Sequence, residues 1–169
     1  MAGIVLAGIA ILAIILFSLF SIRKSNKEKE KEYKAAAMLL KESQLHDAID
    51  MNKNKSTVRE RMILVVSWKE EKERKFVFDP MAGVRIGRSR DDNQISIPLE
   101  TVSQKHCIIF SDGNNLYVQD LNSANGTYVR RGFKTFPVNK YELLADKDRV
   151  IVGGIEFKVR SFWLDSAYL

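Results

Sequence analysis

Arg88, Ser103 and Asn125 are the side chains whose types and spacing can do chemistry together. Each lies in a short turn-like stretch: Ile86-Gly87-Arg88-Ser89, then Val102-Ser103-Gln104-Lys105-His106, then Asp120-Leu121-Asn122-Ser123-Ala124-Asn125-Gly126-Thr127-Tyr128-Val129. A guanidinium is a rigid planar fork that bonds two oxygens of a phosphate dianion at once. Ser103 adds a hydroxyl donor, and the backbone N–H groups of residues 103–105 can add more. Such a set holds a phosphate without cleaving it.

No enzyme is expected, because no nucleophile and base come together in the pattern. His106 and Cys107 are neighbours on a predicted strand, so their side chains point to opposite faces and cannot form a reactive pair. Cys107 is the single cysteine, which excludes an internal disulfide and leaves a structural zinc site without ligands. A small buried core residue is what its position suits. His46 has no second ligand at metal spacing, and Gly153-Gly154 precedes a strand instead of a helix, so neither a metal centre nor a dinucleotide or P-loop cofactor site is expected.

The elements that must position these loops are short. After Met62 come runs rich in Val, Ile, Phe and Tyr at 63–68, 75–78, 84–87, 106–110, 116–120, 127–129, 149–152 and 155–160. Between them stand turn signals such as Asp79-Pro80, Asp91-Asp92-Asn93, Asp112-Gly113-Asn114 and Asn125-Gly126. Closely spaced strands with no helical stretch between them predict an all-β, antiparallel sandwich or barrel. Asn125-Gly126 itself reads as a hairpin turn that accepts positive φ.

In this order and spacing, Gly87-Arg88, Ser103-x-x-His106 and Asn125-Gly126 resemble the forkhead-associated (FHA) domain family, with Asp148 to Gly153 and Phe157 looking like its closing strands. The resemblance runs from about Met62 to Trp163. It implies an antiparallel β-sandwich that binds phosphothreonine peptides, with Arg88 and Ser103 on the phosphate and Asn125 bonding the main chain of the bound peptide. Gln104, Lys105 and Ser123 are further expected contacts. His106 stands where the family has an architectural histidine, with Gly87 and Gly126 shaping the loops. The family commonly has Thr or Ser at the place of Ala124, where its hydroxyl assists phosphate binding, so Ser123 is left as the hydroxyl of that loop. Gln104 replaces a frequent Arg, with Lys105 beside it to restore positive charge.

The N-terminal third is a different kind of chain. No charged residue occurs in positions 1–22, and Gly3 to Ile22 is almost wholly apolar, which predicts a retained transmembrane anchor of about 20 residues. Arg23, Lys24, Lys27, Lys29, Lys31 and Lys34 follow at once, which predicts a cytoplasmic face for everything after them and an outside N-terminus. Residues 23–61 carry eleven Lys or Arg against seven Asp or Glu, a net of +4 of the chain's +6, so the basic excess belongs to this stalk and argues against a nucleic-acid partner. Residues 27–49 read as a helix and 52–56 as a linker, giving domains at 1–22, 23–61 and 62–169.

The architecture is similar to small anchored FHA proteins of Gram-positive bacteria, which implies links to transmembrane Ser/Thr kinases and to cell-envelope growth or division. The expected function is a membrane-tethered adaptor that recruits a kinase-phosphorylated partner. A phosphate-independent scaffold, using the sandwich and an oligomerising stalk, is the alternative. A third arrangement has Thr57 phosphorylated and captured by the same or a neighbouring chain.

Overall fold

The computed structural model describes residues 2–49, 60–70 and 72–165, and for 2–10 and 43–49 the backbone path alone. The chain divides into two compact units, residues 1–35 and 36–169. A single helix, α1 (Ala2–Ile49), runs unbroken through the expected border between anchor and stalk. That continuity follows from composition: no Pro occurs before Pro80, and the strong helix formers Ala, Leu, Lys and Glu make up about half of residues 2–49. The expected linker at 52–56 and Thr57 lie outside the described residues.

Within the first unit, Ile11, Leu12, Ile14, Ile15, Leu16, Phe17, Leu19, Phe20 and Ile22 are all exposed. Lys34 bonds Glu30 one turn earlier at 2.7 Å, a solvated pair of the kind the alternating Lys and Glu imply. Among the described residues no helix is long and apolar enough to cross a membrane. The side chains of residues 1–10, the first part of the expected anchor, lie outside that description.

The second unit is a β-sandwich. Its strands are β1 (Glu60–Lys69), β2 (Glu73–Phe78), β3 (Val84–Gly87), β4 (Ile95–Ser96), β5 (Cys107–Ser111), β6 (Leu116–Asp120), β7 (Thr127–Arg131), β8 (Lys134–Pro137), β9 (Tyr141–Leu144), β10 (Arg149–Val152) and β11 (Ile155–Asp165). They form a six-stranded sheet in the order β2-β1-β11-β10-β7-β8 and a five-stranded sheet in the order β4-β3-β5-β6-β9. The pairing is antiparallel except for β3 and β4, which run parallel. The inner faces meet in a core that includes Leu64, Val66, Ile86, Ile109, Val118, Val150 and Phe157. Cys107 is fully buried there, and burial pushes its thiol far above the usual range, which keeps it an inert core residue.

The run from Met62 to Trp68 does not alternate because β1 is covered on both faces. Met62, Leu64, Val66 and Trp68 enter the core, whereas Ile63 packs outside with Leu164, Val77 and Phe162 against Ala36 and Leu40 of α1. A strand clad on both sides reads as a continuous apolar run.

At the end of the sandwich where β1 begins, Asp148 is almost wholly buried and accepts from Arg131 Nε at 3.1 Å, from Arg131 Nη2 at 2.7 Å and from Ala145 N at 2.9 Å. Arg131 Nη2 also donates to Leu143 O at 2.8 Å, so one guanidinium ties β7 to the β9–β10 turn. Asp148→Ala should cost about 1.5–3 kcal/mol in urea unfolding, because it removes the charged acceptor through which Arg131 and Ala145 N–H are tied together.

Candidate functional site

Arg88 directly follows Gly87, the last residue of β3, and its backbone is fixed on both sides. Its N–H donates to Ser103 O at 2.8 Å, and its own carbonyl accepts from the Ser96 hydroxyl at 3.1 Å. Ser89 N–H donates to Gln104 O at 3.2 Å, and Ile97 N–H donates to Gly87 O at 2.9 Å. The guanidinium is exposed and has no hydrogen bond or ion pair among the described residues. A fixed backbone carrying an uncommitted fork is a ready anion receptor.

Ser103 faces this arginine loop and is oriented from two directions. Its N–H donates to His106 Nδ1 at 3.1 Å, and its hydroxyl oxygen accepts from Ala124 N–H at 3.0 Å. The hydroxyl hydrogen is thereby left to point at a ligand. His106 is fully buried. Because Nδ1 accepts, the neutral ring carries its proton on Nε2, which donates to Gly126 O at 3.2 Å. Its backbone adds two more ties, His106 N–H to Ile86 O and Leu121 N–H to His106 O. One imidazole thus joins the Ser103 loop to the loop that carries Asn125.

That loop does not make a hairpin. β6 lies in the five-stranded sheet and β7 in the six-stranded one, so the chain crosses between sheets here. Gly126 takes positive φ, 73°, as does Asn122, 58°, whereas Asn125 does not. Asn125 is exposed, and its Nδ2 donates to Thr101 O at 2.8 Å, which turns its side-chain carbonyl outward as an acceptor for a passing main chain. The hairpin that Asn-Gly suggests is therefore not formed, and Gly126 alone of the pair takes the positive φ that shapes the loop.

The profile of the FHA domain matches residues 84–153, a stretch that holds all three loops. An FHA domain solved in a study of phosphothreonine-dependent FHA interactions is 32% identical, with 58% of this chain and 95% of that one aligned at a TM-score of 0.50. The chain belongs to the FHA domain family. The FhaA FHA domain, solved in complex with the intracellular domain of Rv3910, is also 32% identical over 57% of this chain and 99% of its own, with a TM-score of 0.50. An FHA domain-containing protein of Arabidopsis thaliana is 42% identical over 52 residues, 31% of this chain and 14% of that protein. The match thus spans well under a fifth of that curated relative.

Within the FHA site, three expected contacts are already engaged. Ser123 donates its hydroxyl to Asp120 Oδ1 at 2.6 Å and its N–H to Asp120 Oδ2 at 3.0 Å, and Thr127 donates to the same carboxylate at 2.6 Å. Burial pushes the Asp120 carboxyl up, but these bonds from Ser123 and Thr127 outweigh it and hold the group below the ordinary aspartate value. The Ser123 hydroxyl is therefore spent on shaping the loop. Lys105 pairs with Asp92 at 3.0 Å, an exposed pair that offsets its charge. Gln104 serves through its carbonyl, which receives Ser89 N–H and the Asn93 amide, at 3.2 and 2.7 Å.

Asn93, Asp120, Thr101 and Ser96 were not singled out by sequence reasoning. Asn93 and Asp120 read there as turn and motif punctuation. Ala124 gives the FHA site its backbone N–H but no hydroxyl. Ala124→Thr at this exposed position should tighten phosphothreonine-peptide binding about threefold to tenfold in calorimetric titration, one added hydrogen bond's worth of affinity.

Proposed function

We propose that this FHA domain binds a phosphothreonine segment of a partner protein and so recruits that partner to a membrane. Arg88 takes two phosphate oxygens, Ser103 donates its hydroxyl to a third, and the Asn125 side-chain carbonyl accepts a peptide N–H. The observation that carries the reading is the uncommitted Arg88 guanidinium on a backbone held by Ser103 and Ser96. The site is read as recognising the phosphate and leaving its ester intact. Phosphorylation of the partner by a Ser/Thr kinase is then the switch, since the unmodified threonine offers no dianion to the fork. The FhaA complex with an intracellular domain supports a protein partner of this kind.

The tether is the helix that exposes apolar side chains on every side between Ile11 and Ile22. A helix apolar all round needs a lipid or protein environment. Those twelve described residues span only about 18 Å, and the charge-free stretch before them supplies the remaining length of a span. The basic residues from Arg23 to Lys34 set the FHA domain on the cytoplasmic side.

The test is calorimetry on the full chain in nanodiscs, with phosphothreonine peptides and their unphosphorylated twins. Binding confined to the phosphorylated set is expected. Equal binding in both sets overturns phosphate recognition and transfers the function to a phosphate-independent contact. Alkaline carbonate washing of membranes checks the tether, which is lost if the chain is released.

A further inference from the structure

We infer that Asn93 is the positioning residue of the phosphate site, acting as a clamp that holds the Arg88 loop and the Ser103 loop at one separation. Asn93 Nδ2 lies 2.6 Å from Ser89 O and 2.7 Å from Gln104 O. Both partners are backbone carbonyls, which only accept, so the amide nitrogen must be the atom facing them. Each N–H therefore reaches a different loop: one the residue after Arg88, the other the residue after Ser103. Beside the exposed Lys105–Asp92 pair, the backbone tie between these loops consists of two bonds, Arg88 N–H to Ser103 O and Ser89 N–H to Gln104 O. Asn93 doubles that number from the side.

The amide also lies flat against Gly87. A Cβ on Gly87 would stand 2.7 Å from Asn93 Oδ1 and 2.8 Å from Nδ2. Gly87 and Asn93 are thus one fitted contact at the root of Arg88. Asn93 Oδ1 is buried and without a partner among the described residues. A buried, unpaired acceptor opposes folding, and only the two bonds donated by the other end of the same amide offset it. A side chain kept for stability alone has no need of that orphan oxygen; a two-pronged donor aimed at two loops does.

This inference rests on phosphothreonine recognition, and the experiment separates the two. Calorimetry on the full chain uses one phosphothreonine peptide, its unphosphorylated twin, wild type, Asn93→Ala and Asn93→Asp. Asn93→Asp keeps the shape but turns a second oxygen toward the two carbonyls, and Asn93→Ala covers the case in which that repulsion prevents folding. The expected result for Asn93→Ala is a phosphopeptide Kd raised about tenfold, with binding stoichiometry still one per folded chain well below the thermal midpoint. A merely structural residue would lower the active fraction and leave Kd unchanged. Because Asn93 acts through the arginine loop, its loss should cost under threefold when Arg88→Lys is already present.

An unchanged Kd in folded Asn93→Ala, or a full tenfold loss on top of Arg88→Lys, overturns the clamp. Failure of wild type to prefer the phosphorylated peptide overturns the parent reading instead.

Discussion

Arg88→Ala should weaken phosphothreonine-peptide binding at least thirtyfold and leave the thermal midpoint where it is. Hydrogen bonds to a charged group contribute about 1.5–3 kcal/mol each, and the fork supplies two, so even after discounting for solvent at an exposed site roughly 2–4 kcal/mol is at stake. Stability is untouched because the side chain is exposed and has no hydrogen bond or ion pair among the described residues, while the backbone bonds of residue 88 to Ser103 and Ser96 do not depend on it. Arg88→Lys keeps the charge and loses the planar fork, so an intermediate loss, nearer to alanine than to wild type, is expected. Calorimetry reads the affinity and differential scanning the midpoint. A lysine variant that binds as wild type does would mean the phosphate is met as a point charge, and an alanine variant that does so would remove Arg88 from the site.

Much of this arrangement was legible because β-strands write a local pattern. The runs at 84–87, 116–120 and 149–152 coincide with β3, β6 and β10, and the burial alternation of β5 and β6 is the kind that sequence reading relies on. β4, β8 and β9 were missed for separate reasons. β4 has only two residues, Ile95 and Ser96, too few for a period. β8 is an edge strand that ends in Pro137, and proline argues against a strand. β9 reads Tyr-Glu-Leu-Leu, which carries no clean alternation, and its Tyr141 and Leu143 lie on the exposed side of the sheet. The parallel β3–β4 pair follows from the return of the chain through the Arg88 loop, a long-range matter that no local window holds.

The site divides along the same line. Side chains that would face a ligand were readable by type: a fork, a hydroxyl, an amide. Apart from His106, whose role the family resemblance implied, side chains that hold the loops were not, because their partners are far away in sequence. Asn125 reaches back 24 residues to Thr101, the Ala124 N–H reaches Ser103 across 21, and Asn93 reaches Gln104 across 11. Ser123 was misjudged for the same reason in reverse. Its hydroxyl is free by sequence, but Asp120, three residues earlier, captures it.

Gly87→Ala should damage folding and binding together, and more severely than alanine at any open glycine of the domain. A Cβ there would stand 2.3 Å from the Gln104 carbonyl oxygen, well inside the distance real side chains tolerate, and within 2.8 Å of the Asn93 amide. The amide is the end of a side chain and can rotate away, but the carbonyl is backbone. It is held in place by Ser89 N–H, so the methyl group can be admitted only by parting the Arg88 and Ser103 loops. Overpacking of this kind costs about 1–3 kcal/mol, and the same displacement breaks the alignment of the fork with the Ser103 hydroxyl. The expected result is a lowered thermal midpoint together with a phosphopeptide affinity reduced at least tenfold in the fraction still folded. Gly132 is the control, since it takes φ 60° and an added methyl group would find nothing within 4 Å, so alanine there meets only backbone strain of about 1 kcal/mol. It lies at the β7–β8 turn and should leave affinity alone. Equal effects of the two variants on binding would mean that the close approach at Gly87 does not set the geometry of the phosphate site.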